Sequence, residues 1–237
     1  MADNGARRPD GSGSWAERLS ADRAALTAGS RSQLLAAKLR QRITEGVFRP
    51  GERLSEEALS EALNVSRNTL REAFRQLAEE GVLVHEFGRG VFVRTLTVED
   101  LRDIYALRRV LELAAVRNLP NAPGHALEEI REAVDSADEA AARQDWTAVG
   151  SANMRFHQAV VELLDNRRAR DVVRRLLAEL RLVFVVMDDL HDFHEPYRKT
   201  NRQLYELLLA GDVAGAEKAF TAYLDAAEAQ LLAAYRH

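Results

Sequence analysis

The run Ser66-Arg67-Asn68-Thr69, followed by Arg71, carries side chains that proteins use to read DNA. Arginine guanidinium groups bind guanine edges or clamp phosphates, and asparagine and threonine side chains bond to base edges or to phosphates. Ser66 is also a preferred helix N-cap, and the free N–H groups at a helix start favour a nearby phosphate. Because charged residues are common on any exposed helix face, this run indicates DNA binding only in the right structural context.

Three helices are predicted around this run. The spacing of apolar residues predicts a first helix that ends at Gly46. Ser55 is the expected N-cap of a second helix, and Ser66 is the expected N-cap of a third that ends at Gly81. The predicted inner faces are Leu35, Leu39 and Ile43 in the first helix, Ala58, Leu59, Ala62 and Leu63 in the second, and Leu70, Ala73, Phe74 and Leu77 in the third.

Two short extended runs, Val82–His85 and Val91–Arg94, follow the third helix. The turn between them, Phe87-Gly88-Arg89-Gly90, has the glycines that a hairpin needs for positive φ angles. A helix-turn-helix followed by such a hairpin is the organisation of a winged helix-turn-helix, whose second helix enters the major groove. Arg53 is expected either to contact phosphate or to stay within its turn. The candidate DNA-binding residues are Arg53, Ser66, Arg67, Asn68, Thr69, Arg71, Gly88 and Arg89.

Beyond Thr95 the strand pattern disappears, and amphipathic helical patterns run to the end of the sequence. Thr97 and Asp100 fit a capping box at the start of the first of these helices. The predicted helices cover about 98–119, 124–143, 146–165, 168–190, 196–210 and 213–235, with breaks that include His194-Glu195-Pro196. The expected fold is mainly α, with a disordered tail over 1–29, a winged helix-turn-helix over 30–95, and an all-α bundle of six or seven helices over 96–237.

The composition is that of a globular protein, and it excludes some classes of site. The 237 residues include no cysteine, which excludes disulfides and thiolate metal sites. The start of the sequence has no apolar signal segment, and the longest apolar run, Leu182–Met187, is too short to span a bilayer, so we expect a cytoplasmic protein with no membrane partner. The net charge of −4 divides into +2 over residues 1–94 and −6 over the remainder, which favours two parts with different partners.

Residues 30–94 resemble the DNA-binding domain of the GntR family of transcription regulators. The matching segments are the turn Pro50–Glu56, the third helix Val65–Ala73, the run Leu77–Leu83 and the wing Gly88–Val93. Residues 97–235 resemble the effector domain of the FadR-like subgroup, which is called the FCD domain. The resemblance implies a homodimer that places two recognition helices on a short inverted repeat of double-stranded DNA, and it implies a repressor that a small molecule releases.

The resemblance also raises the question of a metal, because FCD domains commonly hold a divalent ion with one aspartate and three histidines. In the corresponding segments of this chain, Asn153 stands where aspartate is expected, and His157 retains the usual ligand type. Asn201 and Tyr223 stand at the positions of the other two histidines. Amide oxygens and a neutral phenol are weak ligands for zinc, nickel and similar ions. We therefore predict no metal at this site and no cofactor.

These four positions share helix faces with apolar residues, so their polar groups are expected inside the bundle, where each needs a hydrogen-bond partner. One interpretation is a satisfied polar cluster without a ligand. The other is a cavity that holds a polar or anionic effector directly, with Arg108 or Arg155 as the counter-charge. The candidate effector-binding residues are Arg108, Asn153, His157, Asn201 and Tyr223.

A second group of potential metal ligands lies just before Pro196. Its members are Asp188, Asp189, His191, Asp192 and His194. Because the group sits at a predicted helix end, a solvated loop is the expected interpretation, and a metal site is the alternative.

Together these observations predict a sequence-specific, DNA-binding transcription repressor that an unidentified small molecule controls through the helical domain, without metal. The alternative is a DNA-binding protein that responds to no effector and whose helical bundle is structural. An enzyme is not expected, because the sequence has no cysteine nucleophile, no paired His-Glu metal motif and no glycine loop that would bind phosphate.

Overall fold

A computed structural model describes residues 31–44, 46–185 and 190–234, and the tail predicted over 1–29 lies outside these ranges. The elements from α1 to β3 form the part that we call the head. They are helix α1 over 31–44, strand β1 at Arg53–Leu54, helix α2 at Glu56–Ala62, helix α3 at Arg67–Glu79, strand β2 at Leu83–Glu86 and strand β3 at Gly90–Val93.

Serine caps begin both helices of the predicted helix-turn-helix. The Ser55 side chain accepts a hydrogen bond from the Ala58 N–H, and the Ser66 side chain accepts one from the Thr69 N–H. The inner face predicted for α3 is confirmed. Its buried residues are Leu70, Ala73, Phe74 and Leu77.

The inner face predicted for α2 is wrong. This helix contains no buried residue: Leu59 is half-buried, whereas Ala58 and Ala62 are exposed, as is Leu63 beyond its end. A helix of seven residues makes only two turns, and α2 reaches the core of the head through Leu59. Its other apolar side chains therefore remain at the surface of the chain.

The predicted hairpin belongs to a three-stranded antiparallel sheet in the order β1-β3-β2. The third strand, β1, comes from the turn before α2, and its Arg53 lies opposite Phe92 of β3. At the hairpin tip, Gly88 has a φ of +72° and Gly90 a φ of +115°, as the sequence predicts for the turn. The winged helix-turn-helix is therefore present.

The rest of the described chain is helical, so the mainly α fold is confirmed. The helices are α4 at Val98–Arg117, α5 at Ala126–Ala142, α6 at Trp146–Glu162, α7 at Arg167–Phe184, α8 at Leu190–Leu209 and α9 at Val213–Ala234, with a 3₁₀ turn at Leu119–Asn121. Thr97 and Asp100 form the predicted capping box at the start of α4. In the part of the chain that the structure describes, no helix is both long and apolar enough to cross a bilayer.

The break predicted at His194-Glu195-Pro196 is wrong, because α8 continues through Pro196. A proline inside a helix removes one backbone hydrogen bond and normally bends or ends the helix. Here the residues around it are held by packing: Phe193, His194 and Tyr197 are all buried against the bundle. Burial of three large side chains outweighs the loss of one hydrogen bond.

Helix α7 joins the two parts of the chain. Leu182 belongs to the apolar core of the head, whereas Leu180 and Val183 of the same helix belong to the larger core of the helical part. Close by, Arg94 forms a 3.2 Å ion pair with Glu179 of α7. The head and the helical part therefore share side chains across their boundary.

His194 is the buried histidine that packs α8 against α6. Its ring contacts Gly150 so closely that a Cβ atom at that position would lie 2.6 Å from Nε2. The ring also packs edge-on against Phe184 and Phe193. Burial and, to a smaller extent, the nearby positive charge of Arg181 together lower the pKa of His194 to about 4. The folded chain therefore holds this histidine neutral at pH 7.

We expect this histidine to make the fold sensitive to acid. Between pH 6.5 and about 4 the unfolded chain takes up a proton at His194 that the folded chain does not, so acidification destabilises the fold by up to about 3 kcal/mol. Urea unfolding at several pH values should show that His194→Gln removes this contribution. The exposed His85→Gln variant is the control and should keep it. An unchanged pH slope in His194→Gln would contradict the assignment.

Candidate functional site

The start of α3 presents its polar side chains to solvent. Ser66 caps the helix by accepting from the Thr69 N–H at 3.1 Å, and the two hydroxyl groups of Ser66 and Thr69 lie 2.8 Å apart. Thr69 therefore contributes to the cap as well as to the surface. The neighbouring Arg67 and Arg71 have 64% and 60% of their side chains exposed.

Within the described residues, both arginines pair with carboxylates of α2. Arg67 Nη2 lies 3.5 Å from Glu57, and Arg71 Nε lies 2.8 Å from Glu56. Ion pairs this exposed contribute little to stability, so a phosphate or a base edge can replace the carboxylate at small cost. Asn68, in turn, donates to Glu72 at 3.0 Å from the same exposed face.

The wing carries the other predicted contacts. Arg89 pairs with Glu86 and its guanidinium lies 5.4 Å from the centre of the Phe92 ring, and Gly88 is open to solvent. Arg53 on β1 lies beside Gly90, so the structure places it at the wing rather than beside α3. Phe87, whose side chain is fully exposed at the wing tip, was not among the predicted contacts. The signal in the sequence was an aromatic residue in the same turn as Gly88 and Arg89.

The predicted effector-binding residues from three helices do meet inside the bundle. Asn153 and His157 come from α6, Asn201 from α8 and Tyr223 from α9, and all four are buried. Asn201 Nδ2 donates to Asn153 Oδ1 at 2.7 Å. The Tyr223 hydroxyl lies 3.0 Å from His157 Nε2 and 3.1 Å from Asn153 Oδ1. We call these residues, with Arg108 and Glu112, the buried polar cluster.

Arg108 and Glu112 of α4 complete this cluster. Arg108 Nε donates to Glu112 Oε1 at 2.7 Å, and Glu112 Oε2 lies 2.6 Å from His157 Nδ1. Glu112 was missed, although its spacing of four residues from Arg108 places both on one face of a helix. Arg155, the other candidate counter-charge, is exposed and takes no part in the cluster.

The charges of the cluster balance. Burial disfavours ionised Glu112, but Arg108 and His157 outweigh that effect and hold the pKa of its carboxyl below the ordinary value. Burial lowers the pKa of His157 although Glu112 opposes the shift, and burial raises the pKa of Tyr223 well above its usual range. One cation and one anion are therefore buried beside a neutral imidazole whose Nδ1–H donates to Glu112. The single hydroxyl proton of Tyr223 is shared between Asn153 Oδ1 and His157 Nε2.

The residues present do not fit the divalent metal that the FCD resemblance implies. The imidazole nitrogen that a metal would need, His157 Nε2, already bonds to the Tyr223 hydroxyl. The permanently charged Arg108 adds a cation to the same cluster. Within the described ranges, no group of three or more histidine, cysteine, aspartate or glutamate side chains is arranged to hold a metal.

The second group of potential ligands does not gather around one point. His191 pairs with Asp192 and packs edge-on against Trp146, whereas His194 is buried in the aromatic contacts described above. Asp188 and Asp189 lie outside the described residues.

Two atoms of the buried polar cluster retain bonding capacity. Arg108 Nη2 and Asn201 Oδ1 are buried, and neither finds a hydrogen-bond partner within the described part of the chain. An unpaired buried donor or acceptor is costly, so each is a candidate contact for a bound molecule or a water. The other buried side-chain polar atoms of the cluster have hydrogen-bond partners.

A winged helix-turn-helix joined to an all-helical domain defines a class of transcription regulator that binds DNA with the first part and an effector with the second. The chain belongs to the GntR family of bacterial regulatory proteins: the family model matches residues 31–93, and the FCD domain model matches residues 103–226.

Relatives agree with this assignment. The transcriptional regulator GntR from Rhodococcus sp. RHA1 is 46% identical, with a TM-score of 0.80, and the match covers 87% of this chain and 99% of that structure. The HTH-type transcriptional repressor RspR of Escherichia coli is 27% identical over 78% of this chain and 82% of its own length. The HTH-type transcriptional regulator YdhC of Bacillus subtilis is 29% identical over a match that covers 59% of this chain. The same match spans 63% of the length of that relative.

Breaking the buried ion pair of α4 should destabilise the fold much more than breaking a surface pair between α4 and α9. Glu112→Gln leaves the Arg108 cation buried without a counter-charge, so we expect a loss of about 3 kcal/mol or more in the free energy of unfolding. Glu217→Gln, which breaks the exposed Arg117–Glu217 pair, is the matched control and should leave that free energy nearly unchanged. Equal effects in urea unfolding would argue against the balance of charges.

Proposed function

We propose that this chain is a transcription repressor that binds an inverted repeat in double-stranded DNA as a homodimer and is controlled by a small molecule in its helical domain. The single observation that carries the proposal is the exposed start of α3, where Arg67 and Arg71 pair with solvent-accessible carboxylates of α2. Family membership supports a DNA-binding regulator of this kind.

In this proposal α3 enters the major groove by its first turns. Arg67, Asn68 and Arg71 contact base edges or phosphates, and the Ser66 cap leaves the helix start close to a phosphate. Arg89 and the glycine turn at Gly88 reach the adjacent minor groove or backbone, together with Arg53. The exposed Phe87 is suited to an apolar contact in the same place.

The arginines of α3 provide the test of DNA contact. Duplexes are selected from a randomised library with the unsubstituted protein and are titrated by fluorescence anisotropy. We expect Arg67→Ala and Arg71→Ala each to weaken binding by about tenfold or more, because each removes a charged contact to a base or a phosphate. Arg143→Ala, at an exposed position after α5, should bind normally. Unchanged affinity in both α3 variants would overturn the docking proposal.

Two chains are proposed to bind together because one α3 reads only one half-site. The chain also exposes apolar side chains that suit self-association, since Leu107 and Val110 of α4 are 39% and 64% exposed. A closed dimer with two-fold symmetry then matches an inverted repeat.

The selected DNA should therefore be palindromic, with two chains bound per duplex in sedimentation. Inserting about five base pairs between the half-sites turns one of them by about half a helical turn and should reduce affinity at least tenfold. An insertion of about ten base pairs restores the facing and is the control. A selected site without symmetry that binds one chain would contradict the dimer.

The buried polar cluster is the proposed effector site. The Arg108 and Asn201 atoms that lack partners in the described chain supply a donor and an acceptor, and His157, Asn153 and Tyr223 supply further polar contacts. A polar or anionic small molecule suits this set. The second candidate function is a bundle that only supports the head and binds no effector. It is favoured by the hydrogen bonding of the cluster, which is otherwise complete. If it is correct, no metabolite will change the affinity for the operator.

A further inference from the structure

A groove lies between the head and the helical part, away from the buried polar cluster. It has a volume of about 930 Å³, which is in the range of small-molecule sites. Its walls come from α1 and α3 on one side and from α6 and α7 on the other. A molecule bound here touches both parts of the chain.

The groove combines apolar side chains with neutral polar groups. Met154, Leu177 and Leu182 supply apolar surface on the helical side. Gln41 and Gln76 on the head side and Gln158 on the helical side supply hydrogen-bonding groups. This combination suits an organic molecule rather than a simple ion.

The charged groups of the groove are dominated by arginine, and two of its five arginines are neutralised internally. Arg40 forms a bidentate pair with Glu80, and Arg174 pairs with Asp171. Arg155, Arg175 and Arg181 are different, because none of them makes an ion pair with a carboxylate in the described ranges. Glu79 is the remaining carboxylate of the groove, so the lining keeps an excess of positive charge.

The guanidinium group of Arg181 is oriented by hydrogen bonds to neutral acceptors. It is half-buried on α7, and its Nη2 donates to the Ser151 hydroxyl at 2.8 Å and towards the Thr147 carbonyl at 3.3 Å. These neutral acceptors orient the guanidinium without cancelling its charge. Burial lowers the pKa of Arg181, and the like charge of Arg155 lowers it further, so a bound anion would stabilise the charged form of Arg181.

We propose that this groove is a second ligand site, in which Arg155 and Arg181 bind the carboxylate or phosphate group of a small organic anion. Guanidinium groups bind both kinds of oxyanion in the same bidentate manner. The site does not depend on the proposed effector site, with which it shares no residue.

A phosphate of bound DNA is not the expected occupant. The groove uses Gln76, Glu79 and Glu80 at the end of α3, whereas the proposed DNA contacts are at its beginning. Along the helix axis the two sets are about 8 Å apart at their nearest members, Arg71 and Gln76, and about 18 Å apart at Arg67 and Glu79. The groove is therefore available to a ligand while α3 is bound to DNA.

The test measures the melting temperature of the full chain with citrate as the carboxylate probe and inorganic phosphate as the phosphate probe. Sodium chloride at matched ionic strength is the reference for both. At saturation, at least one probe should raise the melting temperature by about 3 °C or more above that reference. Which probe succeeds decides between a carboxylate and a phosphate ligand.

Variants then locate the binding. Arg155→Gln removes an exposed charge next to Arg181, so the ligand-free melting temperature should stay equal or rise while the probe-induced shift falls to less than a third. Arg181→Gln should lose the shift in the same way. Arg168→Gln, at an exposed position of α7 outside the groove, should keep the full shift. Tyr223→Phe alters the buried polar cluster alone and should also keep it.

Three outcomes would overturn the proposal. The first is that neither probe raises the melting temperature above the sodium chloride reference. The second is a shift that survives in both Arg155→Gln and Arg181→Gln. The third is a shift that is lost in Tyr223→Phe and kept in the arginine variants, which would assign the anion to the buried polar cluster. Because DNA is absent from the measurement, the result is independent of operator binding.

Discussion

The buried guanidinium group of Arg108 constrains how the helices of the helical domain pack. Arg108 lies in the interior, where an unpaired cation costs several kcal/mol, and Glu112 four residues later on the same helix supplies its counter-charge. Because the carboxylate has a second oxygen, it also fixes His157 of α6, and through His157 the hydroxyl of Tyr223 on α9. One charge pair within α4 thus constrains how the polar groups of α6 and α9 are arranged.

The head obeys the opposite constraint. Its functional side chains must be exposed, so their positions depend on the local structure that presents them. The Ser66 cap fixes where α3 begins, and the apolar residues from Leu70 onwards fix which face turns inward. Arg67 and Arg71 are then left on the outer face by helical geometry. Their ion pairs with glutamates of α2 are weak, so both side chains keep a defined position and can still bind DNA.

Local rules were enough for much of this structure. Caps, glycine turns and the inner face of α3 follow from short-range chemistry, and the meeting of Asn153, His157, Asn201 and Tyr223 followed from the family resemblance. The misses required knowledge of packing. The exposure of α2 depends on how a short helix lies on α3, and α8 continues through Pro196 because its neighbours are buried. The role of Glu112 emerges only when α4, α6 and α9 are seen together, and the interdomain groove requires both domains to be placed.

Leu182 has a consequence for how movement passes between the two parts. Its side chain completes the interior of the head, while Leu180 and Val183, on the same rigid helix, are packed within the larger domain. Because neighbouring residues of one helix pack in both cores, a rotation of α7 would change the packing of both cores together. For the same reason, a fragment that ends after the wing would have a cavity in the core of the head where Leu182 packs. The core against which α3 packs would then be less stable.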